Sequence, residues 1–170
     1  MKKIILALAF ITITTTINAQ DKEMKSSKPL HLSFGIDAGY PVGKFRALTF
    51  LAFGGDLQLA YNVSRNFSLT ASGGFDVWIG RGVNPSRNYA PVLGGLRLSF
   101  SDKVFISEQA GYSIGVSTGI ESAFTNVAGI GFKLSPKSDI LFNYKGLYYS
   151  GNKGTELSSM GVRIAYNFGN

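Results

Sequence analysis

From Leu30 onward the chain alternates apolar and polar side chains with a period of two, the pattern of strands that bury one face. Leu30, Leu32, Phe34, Ile36, Ala38 and Tyr40 fall on one side, and His31, Ser33, Gly35, Asp37 and Gly39 on the other. The next segment sets Leu51, Phe53, Leu57, Leu59, Tyr61 and Val63 against Ala52, Gly54, Asp56, Gln58, Ala60 and Asn62. A third opposes Phe67, Leu69, Phe75, Val77 and Ile79 to Ser68, Thr70, Ser72, Gly74 and Asp76. The same reading predicts five further strands, over about 89–100, 104–116, 123–134, 140–149 and 157–168. In the fifth strand, the register that groups Val104, Ile106, Ala110, Tyr112 and Ile114 carries Glu108 with them. A bulge there, or a place for Glu108 near a rim, would reconcile the carboxylate with an apolar face.

The connectors alternate in length. Ser64-Arg65-Asn66, Ser101-Asp102-Lys103 and the stretch from Ser135 to Asp139 are tight and rich in turn formers, whereas those near 41–48, 80–88, 117–122 and 150–156 are longer and contain Gly. An even number of strands, with short turns at one end and longer loops at the other, is the layout of an outer-membrane barrel. The polar face is composed mostly of Gly, Ser, Ala and Thr, which suits a narrow lumen better than a solvated exterior. Eight consecutive strands with no covering helix must close on themselves to pair every backbone group in lipid. The expected fold is therefore all-β, an eight-stranded antiparallel up-and-down transmembrane β-barrel.

Composition narrows the setting. Only 16% of the 170 residues are charged, against about a quarter in an ordinary soluble domain. Lys2 and Lys3 precede an apolar run from Ile4 to Ile13, a polar stretch and then Asn18-Ala19-Gln20, the order of a secretory signal peptide cleaved after Ala19, although Ile17 is bulky for the position three before the cut. The expected division is a leader over 1–19, a short periplasmic tail over 20–29 and a barrel over 30–170. Losing Lys2 and Lys3 with the leader lowers the formal charge from +7 to +5. The remaining basic residues are scattered and the chain is exported, so nucleic acid is not an expected partner. With no Cys, thiol chemistry and lipid attachment through a lipoprotein cysteine are excluded.

Charges confined to a lumen must balance. Asp37, Asp56 and Asp76 are set against Arg97, Lys145 and Arg163 as a structural polar network, and Arg97 is within reach of Glu108 if a bulge turns that carboxylate inward. Aromatic residues gather near both strand ends: Tyr40, Phe45, Phe50, Trp78, Tyr89, Tyr148 and Tyr149 towards the loops, and Tyr61, Phe67, Phe100, Phe105, Tyr166 and Phe168 towards the turns. They are the candidate girdles at the membrane interfaces, with Tyr40, Trp78, Tyr89, Phe100, Tyr166 and Phe168 as the principal candidates. His31 and Ser33 share a face, as in the His-x-Ser arrangement of some outer-membrane lipid A deacylases. Their side chains point to the lumen at the turn end, whereas attack on a lipid needs a nucleophile on the lipid side, so no catalytic residue is assigned. One His and no Cys make a transition-metal site improbable, and neither metal nor cofactor is expected.

GYPVGKF at 39–45, GGDLQLAYNVSRNFSLTASGGF at 54–75, PVLGGLRLSF at 91–100, GIGFKLSPKSDILFNYKG at 129–146 and GVRIAYNF at 161–168 resemble the small outer-membrane β-barrel proteins of Bacteroidota-type bacteria. The resemblance implies an eight-stranded antiparallel barrel like those of small adhesins and membrane anchors, with both termini in the periplasm. Such barrels commonly end on an aromatic residue that the barrel-insertion machinery reads; here Gly169 and Asn170 follow Phe168. The expected role is structural or one of surface interaction, without catalysis, by a monomer that meets outer-membrane lipid and lipopolysaccharide, with Lys44, Arg46, Arg81 and Arg87 in its loops. The alternatives are a narrow channel or carrier for a small solute, a lipid-modifying enzyme, and a soluble secreted barrel that binds an apolar ligand.

Overall fold

In a computed structural model, residues 30–150 and 156–168 are described; the leader and tail expected over 1–29 lie outside the described residues. The strands are β1 (Leu30–Val42), β2 (Thr49–Asn62), β3 (Phe67–Gly80), β4 (Arg87–Ser99), β5 (Val104–Gly115), β6 (Ala123–Ser135), β7 (Ser138–Tyr148) and β8 (Glu156–Phe168). Each pairs antiparallel with its neighbour in sequence, and β8 returns to β1 to close the barrel. A short 3-10 turn over Gly43–Ala47 lies between β1 and β2.

Local chemistry explains the tight turns at one end. In each, a serine hydroxyl takes over a backbone N–H that the ladder no longer holds. Ser64 Oγ accepts from Phe67 N at 3.2 Å, Ser101 Oγ accepts from Lys103 N and Val104 N at 3.3 and 3.1 Å, and Ser135 Oγ accepts from Lys137 N at 3.1 Å.

Parity then divides the wall. Ser33, Gln58, Thr70, Asp76, Ser107, Thr125 and Arg163 are buried inside, while Phe34, Ile36, Leu57, Leu69, Val92, Ile130, Phe142 and Ile164 are exposed outside. Ile36 and Leu57 keep 56% and 54% of their surface open. A band of this kind running round the barrel far exceeds the few hundred Å² of apolar patch that a water-soluble monomer tolerates, so its natural solvent is hydrocarbon. A soluble ligand-binding barrel would carry its apolar face inward.

Several expectations are corrected by the same parity. The β4–β5 and β5–β6 ladders run without a register shift past residue 108, so there is no bulge and Glu108 points outward. It is out of reach of Arg97, which faces the lumen. Trp78 and Tyr89 were expected at a membrane interface, yet they are 1% and 0% exposed and lie inside the barrel. Trp78 has the parity of Asp76, and Tyr89 that of Arg97, and parity prevails over position near a strand end. Phe105 turns inward for the same reason. Tyr40, Phe100, Tyr166 and Phe168 lie on the outer face near the two ends and are exposed.

Candidate functional site

The lumen holds the concentrated chemistry of the molecule, in layers. Across its middle run two groups of ion pairs. Lys145 Nζ on β7 donates to Asp37 Oδ2 on β1 at 3.2 Å and to both carboxylate oxygens of Asp76 on β3, at 3.0 and 2.9 Å. Arg163 on β8 makes a two-pronged contact with Asp56 on β2, Nε to Oδ1 at 2.8 Å and Nη2 to Oδ2 at 2.7 Å. Nearer the turn end, Arg97 Nη1 on β4 donates to Asp139 Oδ2 on β7 at 3.3 Å, and Asn167 Nδ2 donates to the same oxygen at 3.3 Å. Arg163 Nη1 lies 4.0 Å from Asp139 Oδ1 and links the groups. The Arg97 guanidinium lies over the Phe105 ring, 4.1 Å from its centroid.

Two glycines make this crowding sterically feasible. A Cβ at Gly35 would fall on the Arg163 guanidinium, and one at Gly54 on the Asp76 carboxylate. The small residues read as a narrow lumen thus give the long charged side chains room to cross it.

Above the ion pairs, towards the loops, Ala52, Trp78, Tyr89, Ala123, Leu147 and Leu157 form a buried apolar cluster, and Ile120 and Tyr149 pack against it. The Tyr89 and Tyr149 hydroxyls are hydrogen-bonded to each other. Burial raises the Tyr149 pKa above the ordinary tyrosine value. The Trp78 indole N–H has no partner among the described residues. A cavity of about 40 Å³ remains among the charged side chains, room for no more than a few water molecules.

The structure therefore brings together all six charged residues singled out from the sequence and adds Asp139, with Asn167 beside it. Asp139 was read as part of a turn; its parity within β7 places it inside, 1% exposed. Gln109 is a further addition, donating to Thr70 Oγ1 and Ser72 Oγ at 3.2 Å each and bridging β5 to β3 across the lumen. His31 and Ser33 keep the lumen parity expected of them, and Ser33 Oγ lies 3.5 Å from the Gln58 carbonyl oxygen. Among the described residues no group of three or more His, Cys, Asp or Glu is placed to hold a metal ion. The charged side chains of the lumen pair with one another across it, while Arg97 Nε and Asp139 Oδ1 have no hydrogen-bond partner among the described residues.

No family model matches the sequence, and no curated protein matches it. Solved structures do. The attachment invasion locus protein Ail of Yersinia pestis is 17% identical over 82% of this chain and 97% of its own, with a TM-score of 0.58. The N-terminal β-barrel domain of Pseudomonas aeruginosa OprF is 14% identical over 81% of this chain and 97% of its own, with a TM-score of 0.56. A de novo designed transmembrane β-barrel is 21% identical over 85% of this chain and 99% of its own, with a TM-score of 0.54. The shared fold agrees with the closure of this chain's own eight strands: the chain has the fold of an eight-stranded transmembrane β-barrel.

Proposed function

We propose that this chain is an integral outer-membrane barrel with a blocked lumen, a membrane-anchored scaffold whose loops meet components of the envelope or the outside, and that it has no catalytic role. The observation that carries this reading is closure at two levels, by the apolar cluster around Trp78 and Tyr89 and by the ion pairs of Lys145, Arg163 and Arg97 beneath it. An eight-stranded barrel has an interior just wide enough for side chains to fill, and here they fill it. The asymmetry between serine turns and longer loops supports an orientation with the turns and both termini in the periplasm, as the resemblance to Bacteroidota-type barrels implies. At the loop end, Arg46 Nε donates to Tyr40 Oη at 3.2 Å and Arg81 lies over the Phe50 ring. Cations set above outward-facing aromatic rings suit contact with lipid and lipopolysaccharide phosphates.

Planar-bilayer recording tests the blocked lumen. Insertion without stable unitary steps is the expected result; reproducible conductance would establish the narrow-channel reading in its place. The membrane reading is tested separately by folding in detergent with a heat-dependent shift in gel mobility, and a folded monomer in plain buffer would overturn it.

A further inference from the structure

Glu108 occupies a place that a carboxylate rarely takes. The outward positions of β1 to β7 carry one charged side chain, and it is this one. It is exposed, four residues along β5 from Val104. At about 3.3 Å per residue and a tilt of about 40° that is roughly 10 Å up the wall, inside an apolar band about 25 Å tall. Lipid tails offer it no donor, and an intramembrane carboxylate persists where something answers it.

Its surroundings indicate what does. Asn126, also outward on β6, places its amide Nδ2 3.5 Å from Glu108 Oε1, a contact that leaves most of the acceptor capacity of the carboxylate unused. Leu96 stands opposite Glu108 on β4, but beside the pair and towards the loops the outer wall is cut low: Ala128 is opposite Glu108 on β6, and Gly94 and Asn126 flank Ala110. Small residues let another protein wall approach closely in lipid, and polar side chains then bond across the contact.

We propose that the outward face of β4–β6 is a self-association surface, on which Glu108 of each copy accepts a hydrogen bond from Asn126 of the other, in place of the monomer expected from the sequence. A second copy fits because the site is self-complementary, with donor and acceptor on adjacent strands, two residues apart in register and 3.5 Å from each other. A twofold axis along the membrane normal keeps every residue at its own depth in both copies, so these groups face one another. The inference rests on the membrane reading above.

The test is energy transfer between copies of the mature chain folded in phosphatidylcholine vesicles, over a range of protein-to-lipid ratios. The chain has no Cys, so Val83→Cys, at a fully exposed loop position, takes one dye without competition. Transfer should exceed that of randomly mixed, non-interacting barrels. Glu108→Leu, which removes a charge from lipid and so leaves folding intact, should weaken association about tenfold through two symmetry-related hydrogen bonds. Glu108→Gln, which keeps an acceptor, should restore most of it, and Ile36→Val on the opposite wall should change nothing. Transfer at the random level at every ratio, or association indifferent to Glu108→Leu, would overturn the proposal. Failure of the chain to enter vesicles at all, with a folded state in plain buffer, would instead overturn the membrane reading.

Discussion

The contact between Arg163 and Asp56 offers the most direct measure of how far the lumen network holds the barrel together. Arg163 is 9% and Asp56 18% exposed at the side chain, and two charge-assisted bonds of 2.8 and 2.7 Å join them. At about 1.5–3 kcal/mol for a bond to a charged group, the pair contributes roughly 3–6 kcal/mol before desolvation is subtracted. Arg163→Met removes both bonds and strands the Asp56 carboxylate, so a loss of about 3–5 kcal/mol is expected. Asp56→Asn alone should cost less, because Arg163 keeps Asp139 at 4.0 Å. The double variant leaves neither charge uncompensated at that point, and the expected coupling is at least about 2 kcal/mol. Urea unfolding in detergent micelles reads these values through Trp78, the single tryptophan, buried in the lumen and sensitive to its packing. Arg65 and Asp102, 3.8 Å apart and almost fully exposed at the turn end, supply the control, for which no measurable coupling is expected. Coupling below about 0.5 kcal/mol between Arg163 and Asp56 would refute the view that these charges brace the wall.

Three further outcomes are expected. Leu57→Arg puts a cation on the outer band and should cost roughly 2–4 kcal/mol of folding stability in lipid, seen as a loss of the heat-modifiable band on gels; an unchanged band would count against a lipid-facing β2. Gly54→Val drives a side chain into the Asp76 and Asp37 carboxylates and should destabilise by about 1–3 kcal/mol or more, whereas at Gly73 a Cβ meets nothing nearer than 3.9 Å and Gly73→Ala should be mild. Trp78→Phe keeps most of the plug and discards an indole N–H without a partner, so thermal melting by circular dichroism should show a loss well short of the roughly 3–5 kcal/mol expected for Trp78→Ala.

Much of this architecture can be read from the chain because a strand has only two faces. Period two assigns Leu57 to one side and Asp56 to the other without knowledge of any partner strand, and the serine-led turns mark where each pair reverses. Long-range pairing is less legible. Nothing local joins Arg97 to Asp139, 42 residues on, because their meeting depends on how the closed barrel staggers its strands. Asp139 was missed through its place beside a turn, and Trp78 and Tyr89 were misplaced because strand-end aromatics serve interface girdles and lumen plugs alike. In each case the parity of a residue already assigned to the lumen, Lys145 for Asp139, Asp76 for Trp78 and Arg97 for Tyr89, carried the signal. Glu108 shows the converse: its parity was plain, and a bulge or a place near a rim was expected to keep the carboxylate out of lipid. The uninterrupted ladders on both sides of β5 show that the backbone makes no such accommodation.

The two levels of closure also determine what would open the barrel. Truncating Trp78 empties the apolar layer, but an ion crossing there still meets Lys145 bound to Asp37 and Asp76, with Arg163 on Asp56 beside it. Removing Lys145 loosens the charged layer, but the Leu147 and Leu157 side chains, with Trp78 and Tyr89, still deny water a path from the loop end. A pore needs a continuous hydrated route, because an ion in a dry apolar stretch bears the full cost of desolvation. Trp78→Ala and Lys145→Ser should therefore each remain silent in planar bilayers, while the double variant conducts. Conductance in either single variant would mean that one layer alone seals the lumen, and the other would then be a matter of folding stability only.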